Sequence, residues 1–316
     1  MSELLILSAI TDHMRSRIEA AFDATVLADV DQDAWLAQHG ADVRFILTGG
    51  HLGVPADIFA RLPNAEIISS NGVGYDGVDT DAANARGVPV CHTPNVLNQE
   101  VATTALMLYI AAQRNFEAEM ANARSGNWEK SGNLPLARSA DQRKIGILGL
   151  GRIGKAIAAK LAPFDPTIVY YGRSRQDVPF PYYDDLVAMA RDCDALICVA
   201  PGGAATHHLI DRAVMDALGP EGVLVNVGRG SVVDEVALIS ALQEGRLGSA
   251  ALDVFAAEPH IPEALRALPN VILTPHIGSA TVETRHAMGD LAIDNLIAWK
   301  NGQPLISPVP ESAGLL

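Results

Sequence analysis

One stretch of the sequence limits the fold more than any other: KIGILGLGRIGKAIAAKL, residues 144–161. A short apolar run of the kind found in buried strands leads into three glycines, and a helix-like pattern follows them. This G-x-G-x-x-G spacing at a strand-to-helix turn is typical of a dinucleotide-binding α/β unit. We expect Gly149 to permit the tight turn, Gly151 to let a pyrophosphate approach the backbone, and Gly154 to allow close helix–strand packing.

The residues that open the predicted helix give a second reason to expect a nucleotide here. The amides of Arg152 and Ile153 are among the first of the helix, and a helix N-terminus favours anions. Leu150 lies between the first two glycines, within the same turn. A plain turn is the alternative, but the strand and helix patterns on its two sides disfavour it. We therefore predict that these residues bind the cofactor phosphates.

The segment GRSR indicates which dinucleotide is bound. In such units an acidic residue about 20 positions after the glycines usually binds the ribose hydroxyls. No carboxylate stands at this point, where the residues are Gly172, Arg173, Ser174 and Arg175. Arginines bind a 2′-phosphate through charge-assisted, often bidentate hydrogen bonds, whereas an acidic residue would repel it. The sequence predicts NADP(H), with NAD(H) as a weaker alternative cofactor; solvated surface arginines are the other interpretation.

Short apolar runs alternate with helix-like stretches, which is the pattern of parallel sheets with crossover helices. Four candidate strands lie in the first third, and six more begin at the glycine-rich stretch, as in a doubly wound sheet. We predict two flavodoxin- or Rossmann-like α/β domains, with a nucleotide domain (99–286) inserted into a substrate domain (1–98 and 287–316). The candidate strands are 4–7, 25–28, 43–48, 66–69, 144–148, 168–171, 195–199, 223–227, 250–253 and 271–274.

Two helical segments and one irregular segment complete the expected organisation. The stretch NQEVATTALMLYIAAQRNFEAEMANAR, residues 98–124, predicts one long helix with an Ala- and Leu-rich buried face. The polar segment from Gly126 to Asp141 predicts an arm outside the core. A last helix is expected from about residue 282 to 300, and it would return the chain to the first domain.

Composition and charge exclude several classes of function. The formal net charge of −14 over 316 residues disfavours nucleic-acid binding. No apolar run approaches the roughly 20 residues of a membrane span, and the N-terminal LLILSAI is interpreted as a strand rather than a signal peptide. Cys91, Cys193 and Cys198 form no disulfide framework and no CxxC pair, so we expect buried inert thiols at the last two and no metal site. A cytoplasmic protein is predicted.

Three polar residues follow late strands of the second series: Arg229 in NVGRGSVVDE, Glu258 in LDVFAAEP and His276 in LTPHIGSAT. Strand C-termini border the ligand crevice of an open α/β sheet, so these side chains can converge. Arg229 can bind a substrate carboxylate, and His276 can donate a proton to a carbonyl oxygen as hydride arrives. Glu258 can orient the imidazole and favour its protonated form. Each residue alone has a structural explanation, but together they predict a catalytic trio.

The chain resembles the D-isomer-specific 2-hydroxyacid dehydrogenases over nearly its whole length. The resemblance rests on NGVGYDGVD, GLGRIG, NVGRG, LDVFAAEP and LTPHIGSAT, which occur in this order. Within the family, GRSR and HIGSATVETR resemble the NADPH-preferring glyoxylate/hydroxypyruvate and hydroxyphenylpyruvate reductases. The resemblance implies that Arg229, Glu258 and His276 catalyse the reduction of a small anionic 2-oxo acid to the D-2-hydroxy acid.

The resemblance also implies contacts to substrate and cofactor. It places the amides of Val73 and Gly74 on the substrate carboxylate, and a Gly-rich turn does present N–H groups suited to an anion. Leu52, in TGGHLG, is expected in the wall of the substrate pocket, and Asp253 near the nicotinamide carboxamide. The remaining expected cofactor contacts are Thr104, Ala200, Pro201, Thr206, Val227, Gly228 and Gly278, together with Arg229 and His276.

Two departures from the family pattern bear on the site. The stretch APGGAAT stands where members often have PLTPET, with Thr206 retained. Ser131 stands where glyoxylate-type reductases can have a second tryptophan, three residues after the one that matches Trp128. Tight restriction to very small substrates is therefore not expected. The family dimerises through the nucleotide domain and the arm after its long helix, which predicts a homodimer here.

The substrate stays open among glyoxylate, hydroxypyruvate, 2-ketogluconate and arylpyruvates. A function of a different class is an NAD(P)-sensing binding protein, because relatives of the family serve as transcriptional corepressors. The complete Arg–Glu–His trio disfavours that alternative. Formate dehydrogenases share the fold but pair their histidine with glutamine, so Glu258 disfavours that activity too.

Overall fold

A parallel sheet of five strands forms the centre of the first of two units in the computed structural model, which describes residues 2–315. Its strand order, β2-β1-β3-β4-β5, is the flavodoxin-like order. Every pair of neighbouring strands is parallel. The strands are β1 (Leu4–Ile6), β2 (Ala24–Val26), β3 (Phe45–Gly49), β4 (Ile67–Asn71) and β5 (Val90–Cys91).

Alternation along these strands divides the apolar residues between two cores. Leu5, Ile46 and Ile68 belong to a cluster on one face, whereas Leu4 and Leu47 belong to a separate cluster on the other. Such near-continuous apolar strands are expected where helices cover both faces of a parallel sheet. The helices are α1 (Asp12–Ala21), α2 (Gln32–His39), α3 (Ala56–Ala60), α4 (Thr80–Ala85) and α13 (Val282–Lys300), with 3₁₀ turns at Leu27–Asp29, Gly40–Asp42 and Pro310–Leu315.

A parallel sheet of seven strands forms the centre of the second unit. Its order, β12-β11-β10-β9-β6-β7-β8, places β6 between β7 and β9, so the winding reverses beside β6. This is the doubly wound Rossmann arrangement, in which ligands bind at the reversal. The strands are β6 (Lys144–Leu148), β7 (Thr167–Tyr171), β8 (Tyr182–Tyr183), β9 (Ala195–Cys198), β10 (Val223–Asn226), β11 (Ser249–Leu252) and β12 (Val271–Leu273).

Helices cover this second sheet as well. One apolar core joins strand residues such as Leu196 and Leu224 to residues of the later helices, such as Met189 and Leu238. The helices Asn98–Gln113 and Arg152–Leu161 pack against each other, and the first of them also contacts β10, β11 and β12. The helices are α5 (Asn98–Gln113), α6 (Phe116–Arg124), α7 (Asn127–Ser131), α8 (Arg152–Leu161), α9 (Leu186–Asp192), α10 (Arg212–Leu218), α11 (Glu235–Gln243) and α12 (Glu263–Arg266), with 3₁₀ turns at Ala162–Phe164 and Gly230–Val232.

The predicted fold class of two doubly wound α/β units is confirmed. The first unit comprises Met1–Leu97 and Thr281–Leu316, and the second comprises Asn98–Ala280, so the second interrupts the first in sequence. The return to the first unit lies earlier than the predicted residue 287. α13 is one continuous helix that begins after Thr281, whose hydroxyl accepts the Thr284 N–H, and the whole helix belongs to the first unit.

Three details of the predicted elements were wrong. The segment expected to be irregular from Gly126 to Asp141 contains the short helix α7. The single helix expected over 98–124 is two helices, because Asn115 adopts a left-handed conformation (φ 49°) that interrupts the helical backbone. The strand series lacked β5 and β8, which are two residues each and too short to produce a pattern. Among residues 2–315, no helix is long and apolar enough to cross a membrane.

The three cysteines are buried and unpaired, as predicted for Cys193 and Cys198. Burial raises the pKa of the Cys198 thiol to about 12, which keeps it protonated and chemically inert at neutral pH.

Candidate active site

Three adjacent strands of the second unit carry the predicted catalytic trio. Arg229 follows β10, Glu258 follows β11 and His276 follows β12, and these strands are neighbours in the sheet. All are parallel, so the three segments leave the same edge of the sheet. The sequence prediction that they follow successive strand ends is therefore correct.

His276 and Glu258 form a direct hydrogen bond. Nδ1 of His276 lies 2.7 Å from Oε2 of Glu258. Because a carboxylate only accepts, the imidazole proton is on Nδ1, and Nε2 is the ring nitrogen that can exchange a proton with a ligand. The other carboxylate oxygen, Oε1, accepts the Phe255 N–H at 3.0 Å. The Glu258 side chain is 15% exposed and that of His276 39%, so the buried partner holds the more accessible one.

Asp253 fixes the loop that carries His276. Its Oδ1 accepts the Thr274 hydroxyl and the Ile277 N–H, both at 2.7 Å, and its Oδ2 accepts the Gly278 N–H at 2.7 Å. The His276 N–H also donates to the Asp253 carbonyl at 2.9 Å, and His276 itself has a left-handed backbone (φ 53°). Burial raises the pKa of Asp253 above its ordinary value, although these three donors oppose the rise. The carboxylate therefore acts as a brace for the His276 loop.

Arg229 is held by a short polar turn after β10. The buried Asn226 side chain donates to the Arg229 carbonyl at 3.0 Å and accepts the Gly228 N–H at 3.1 Å. One guanidinium nitrogen, Nη1, donates to the Gly228 carbonyl at 2.9 Å. A guanidinium has five N–H donors in a planar group, so this contact helps to orient the side chain.

The glycine-rich turn has the geometry expected of a pyrophosphate site. Gly149 has a φ of 98°, which favours glycine, and its N–H donates to the Tyr171 carbonyl at 3.0 Å. A Cβ on Gly154 would lie 2.3 Å from the Gly149 carbonyl oxygen, so only glycine fits there. A Cβ on Gly151 would meet no atom within 4 Å, so the space beside this residue is open. α8 begins directly afterwards, at Arg152.

The GRSR segment follows β7, the strand beside β6, so it and the glycine-rich turn leave adjacent strand ends. The side chains of Arg173, Ser174 and Arg175 are exposed. Gln176, the next residue, donates from Nε2 to the Leu150 carbonyl at 2.7 Å. This hydrogen bond connects the arginine segment directly to the glycine-rich turn.

The other predicted cofactor residues lie on the same strand ends, with one exception. Thr206 closes its loop by donating to the Pro201 carbonyl at 2.7 Å. Thr104 is the exception, because it is a buried residue of α5. Ala200 and Pro201 follow β9, Val227 and Gly228 follow β10, and Gly278 follows β12.

The predicted substrate residues of the first unit lie on two loops that touch. Leu52 follows β3 and is exposed, whereas Val73 and Gly74 follow the neighbouring strand β4. A Cβ on Gly50 would lie 2.0 Å from the Gly74 carbonyl oxygen, so the two loops are in close backbone contact.

Sequence reasoning missed the residues that hold the site together. Asn226 could have been found from the sequence, since it is the polar residue that ends the apolar strand VLVN shortly before GRG. Gln176 could not, because its partner is a backbone carbonyl far away in sequence. Tyr170, which is fully buried, accepts the Gln176 N–H at 2.7 Å and was also missed. Within residues 2–315 no group of three or more His, Cys, Asp or Glu side chains is placed to hold a metal ion.

Comparison with known proteins identifies the family. A sequence model described as the NAD binding domain of D-isomer specific 2-hydroxyacid dehydrogenase matches residues 106–278. The chain is 42% identical to glyoxylate/hydroxypyruvate reductase A of Arabidopsis thaliana over 97% of this chain and 98% of that protein. The chain belongs to the D-isomer specific 2-hydroxyacid dehydrogenase family. It is an oxidoreductase of that family, as the motifs had predicted.

Two further family members are similar over almost their full length. The 2-ketogluconate reductase of Gluconobacter oxydans is 41% identical over 97% of this chain and 98% of its own. A crystal structure of an NADPH-dependent glyoxylate/hydroxypyruvate reductase from Sinorhizobium meliloti, in complex with NADP and malonate, has a TM-score of 0.90 at 42% identity. The match covers 98% of this chain and 97% of that one.

Proposed function

We propose that this protein catalyses the NADPH-dependent reduction of a small 2-oxo acid to the D-2-hydroxy acid. The observation that carries the proposal is the hydrogen bond of His276 to Glu258, on the same edge of the sheet as the glycine-rich turn. A histidine that is oriented by a carboxylate is a common proton donor in enzymes. Glyoxylate and hydroxypyruvate are the first substrates to test, because they are named for the Arabidopsis and Sinorhizobium relatives.

The residues present fit an NADP(H) cofactor. Open space beside Gly151 and the start of α8 at Arg152 suit the pyrophosphate. Arg173, Ser174 and Arg175 offer two exposed cations and a hydroxyl for the 2′-phosphate, and no acidic side chain is among them. When bound, the cofactor supplies the hydride. Asp253, Thr104, Ala200, Pro201, Thr206, Val227, Gly228 and Gly278 remain proposed cofactor contacts, with NAD(H) as the weaker alternative cofactor.

The proposed chemistry of the chain is proton transfer and anion binding. His276 donates a proton from Nε2 to the carbonyl oxygen of the substrate as that carbon is reduced, and it takes the proton back in the reverse direction. Glu258 accepts from Nδ1 throughout, so the imidazole keeps the orientation in which Nε2 is available for proton transfer. Asp253 holds the backbone of the same loop and thereby limits movement of the ring.

We propose that Arg229 and the backbone amides of Val73 and Gly74 bind the substrate carboxylate. A guanidinium matches a carboxylate in a bidentate geometry, and consecutive amides of a tight turn form a concave anion site. Leu52 is proposed to contact the substrate side chain, because it is the exposed apolar residue of its loop.

The alternative function is a nucleotide-sensing binding protein of the same fold. Two observations favour the enzyme: Asp253 holds the His276 loop, and Glu258 orients the His276 ring. A binding protein has no need of an oriented proton donor. Larger 2-oxo acids are alternative substrates, since 2-ketogluconate and hydroxyphenylpyruvate are named for similar relatives.

We propose a homodimer formed through α5, α6, α7 and the segment after them. Leu136 is 99% exposed, and Met107, Phe116, Met120 and Trp128 are also exposed on these elements of the second unit. Exposed apolar surface of this kind is typical of an interface. Leu136→Asp should weaken the dimer in sedimentation equilibrium, whereas Ile306→Asp, at an exposed apolar residue of the first unit, should not. A cytoplasmic location stays a prediction.

The substrate is tested with a panel of 2-oxo acids at fixed NADPH. Glyoxylate, hydroxypyruvate, 2-ketogluconate and phenylpyruvate are compared by kcat/KM, and the configuration of each chiral product is determined by chiral chromatography. The proposal expects D products and a preference for the small acids. An L product, or NADPH binding without turnover of any member of the panel, would contradict it.

A further inference from the structure

Two consecutive carbonyl groups of the turn after β4 accept hydrogen bonds from residues that directly follow β5. The Gly72 carbonyl accepts the Thr93 N–H at 2.9 Å, and the Val73 carbonyl accepts Nδ1 of His92 at 2.9 Å. Because a carbonyl only accepts, the His92 proton is on Nδ1. His92 is 7% exposed, so its ring is a buried part of the first unit and little screened by water.

These two contacts determine where two amides of the turn point. The carbonyl of one residue and the N–H of the next share one rigid peptide plane and point in opposite directions when the bond is trans. Holding the Gly72 carbonyl therefore aims the Val73 N–H, and holding the Val73 carbonyl aims the Gly74 N–H. These are the two amides proposed above to bind the substrate carboxylate.

A buried polar network keeps His92 itself in place. Its N–H donates to the Ser307 carbonyl at 3.1 Å, and its carbonyl accepts the Ser307 hydroxyl at 2.6 Å. Asn295, which is fully buried on α13, donates to the Ser307 hydroxyl at 2.8 Å and accepts the Ser307 N–H at 3.0 Å. The Tyr75 ring packs edge-on against the imidazole, with centroids 5.3 Å apart. Satisfied buried networks of this kind rigidify the groups that they hold.

The surroundings of the turn also contain buried polar atoms without partners. Within residues 2–315, four buried side-chain atoms make no hydrogen bond to the chain, and three of them belong to Ser70, Asn71 and Thr93. Ser70 and Asn71 directly precede the turn, and Thr93 follows His92. Buried polar groups without partners are rare and need an explanation, which a functional site can supply.

We propose that His92 is a positioning residue for the substrate carboxylate. Its Nδ1–H holds the Val73 carbonyl and thereby fixes the Gly74 N–H in the direction of the anion before the substrate arrives. Preorganisation of this kind strengthens binding because no ordering cost remains to be met on association. The inference rests on the proposed function, since it assigns a role in binding a 2-oxo acid. It predicts an effect on substrate capture and none on the cofactor.

Three variants of His92 distinguish a role as hydrogen-bond donor at the δ position from a role in side-chain packing alone. His92→Asn keeps an N–H donor at the same distance from the backbone, His92→Gln moves the amide one bond further out, and His92→Leu has no donor. Steady-state kinetics should give a KM for glyoxylate raised roughly 3- to 30-fold in the Leu and Gln variants, the size expected for losing one neutral hydrogen bond or somewhat more. The Asn variant should stay within about threefold of the wild type, and the KM for NADPH should not change in any variant.

The outcomes distinguish the possible explanations. A purely structural role would lower kcat, cofactor binding and thermal stability together and would give no rescue by Asn. If His92→Leu does not fold, the comparison of Asn with Gln decides, because both keep a polar amide. An active wild type whose KM for glyoxylate is the same in all three variants would overturn the role of His92 alone. A wild type that reduces no 2-oxo acid would overturn the proposed function and this inference with it.

Discussion

Glu258 binds both the imidazole of His276, 2.7 Å from Nδ1, and the N–H of Phe255, 3.0 Å from its other oxygen. One carboxylate thus fixes the ring and the start of its own loop. The side chain of Glu258 is largely buried, so solvent screens its charge less than at the surface. The pair is therefore suited to hold the imidazole in one orientation.

Replacing Glu258 with Gln should lower kcat for reduction, because a neutral amide gives the imidazole a weaker hydrogen bond than a carboxylate does. His276→Ala removes the proton donor itself and should lower kcat further, by roughly 10²–10⁴-fold. Initial rates of NADPH oxidation measure both variants. A Glu258→Gln variant with the kcat of the wild type would disprove the assigned pairing.

Replacing Asp253 with Asn should reduce kcat by about tenfold or more, since the amide has only one acceptor oxygen and cannot accept from both Ile277 and Gly278. The stability effect depends on pH. Burial raises the folded-state pKa of Asp253, so the folded protein binds this proton more tightly than the unfolded chain. The wild-type free energy of unfolding therefore falls as pH rises from the ordinary Asp pKa towards the folded-state value, and the variant lacks this slope.

Urea titrations of wild type and Asp253→Asn at several pH values measure the difference in the free energy of unfolding. As pH rises through that interval, the free energy of unfolding of the wild type should fall relative to that of the variant. A constant difference would show that the pKa of Asp253 is not raised in the folded protein. Unchanged kcat would show that the brace is not needed for catalysis.

Replacing Arg229 with Lys should lower kcat/KM for the 2-oxo acid by roughly 10- to 100-fold, although the charge is kept. The ammonium group cannot reproduce a bidentate contact, and a hydrogen bond to a charged group contributes about 1.5–3 kcal/mol. Arg212→Lys, at an exposed position of α10, is the matched control and should have no effect. Equal kcat/KM in the two variants would remove Arg229 from the substrate site.

Replacing both Arg173 and Arg175 with Ala should impair NADPH use far more than NADH use. Each charged contact to the 2′-phosphate is expected to contribute on the order of 10- to 100-fold in kcat/KM. Calorimetric titration with 2′,5′-ADP and 5′-AMP separates this effect from catalysis, because only the first ligand carries the 2′-phosphate. Added salt should weaken 2′,5′-ADP binding to the wild type in part. Equal losses for both ligands would contradict the assignment.

Most strands, and the motifs that follow their C-terminal ends, could be predicted from the sequence. The last helix was predicted at about its observed bounds, Val282–Lys300, and in the structure the Thr281 hydroxyl caps its first turn. The split at Asn115 was not predicted, because the Ala-rich pattern runs on through a single left-handed residue. In contacts such as that of Gln176 with Leu150, a side chain donates to a backbone carbonyl that is distant in sequence. Such contacts could not be predicted, because every residue has a backbone carbonyl and the residue type does not identify the partner.

The proposed activity is tested by the rate of NADPH oxidation by the purified wild-type protein with hydroxypyruvate, paired with the same measurement for NADH. We expect turnover with both cofactors and a kcat/KM for NADPH at least tenfold that for NADH, the lower bound of one charged contact to the 2′-phosphate. No oxidation of either cofactor by any small 2-oxo acid, or a preference for NADH, would contradict it.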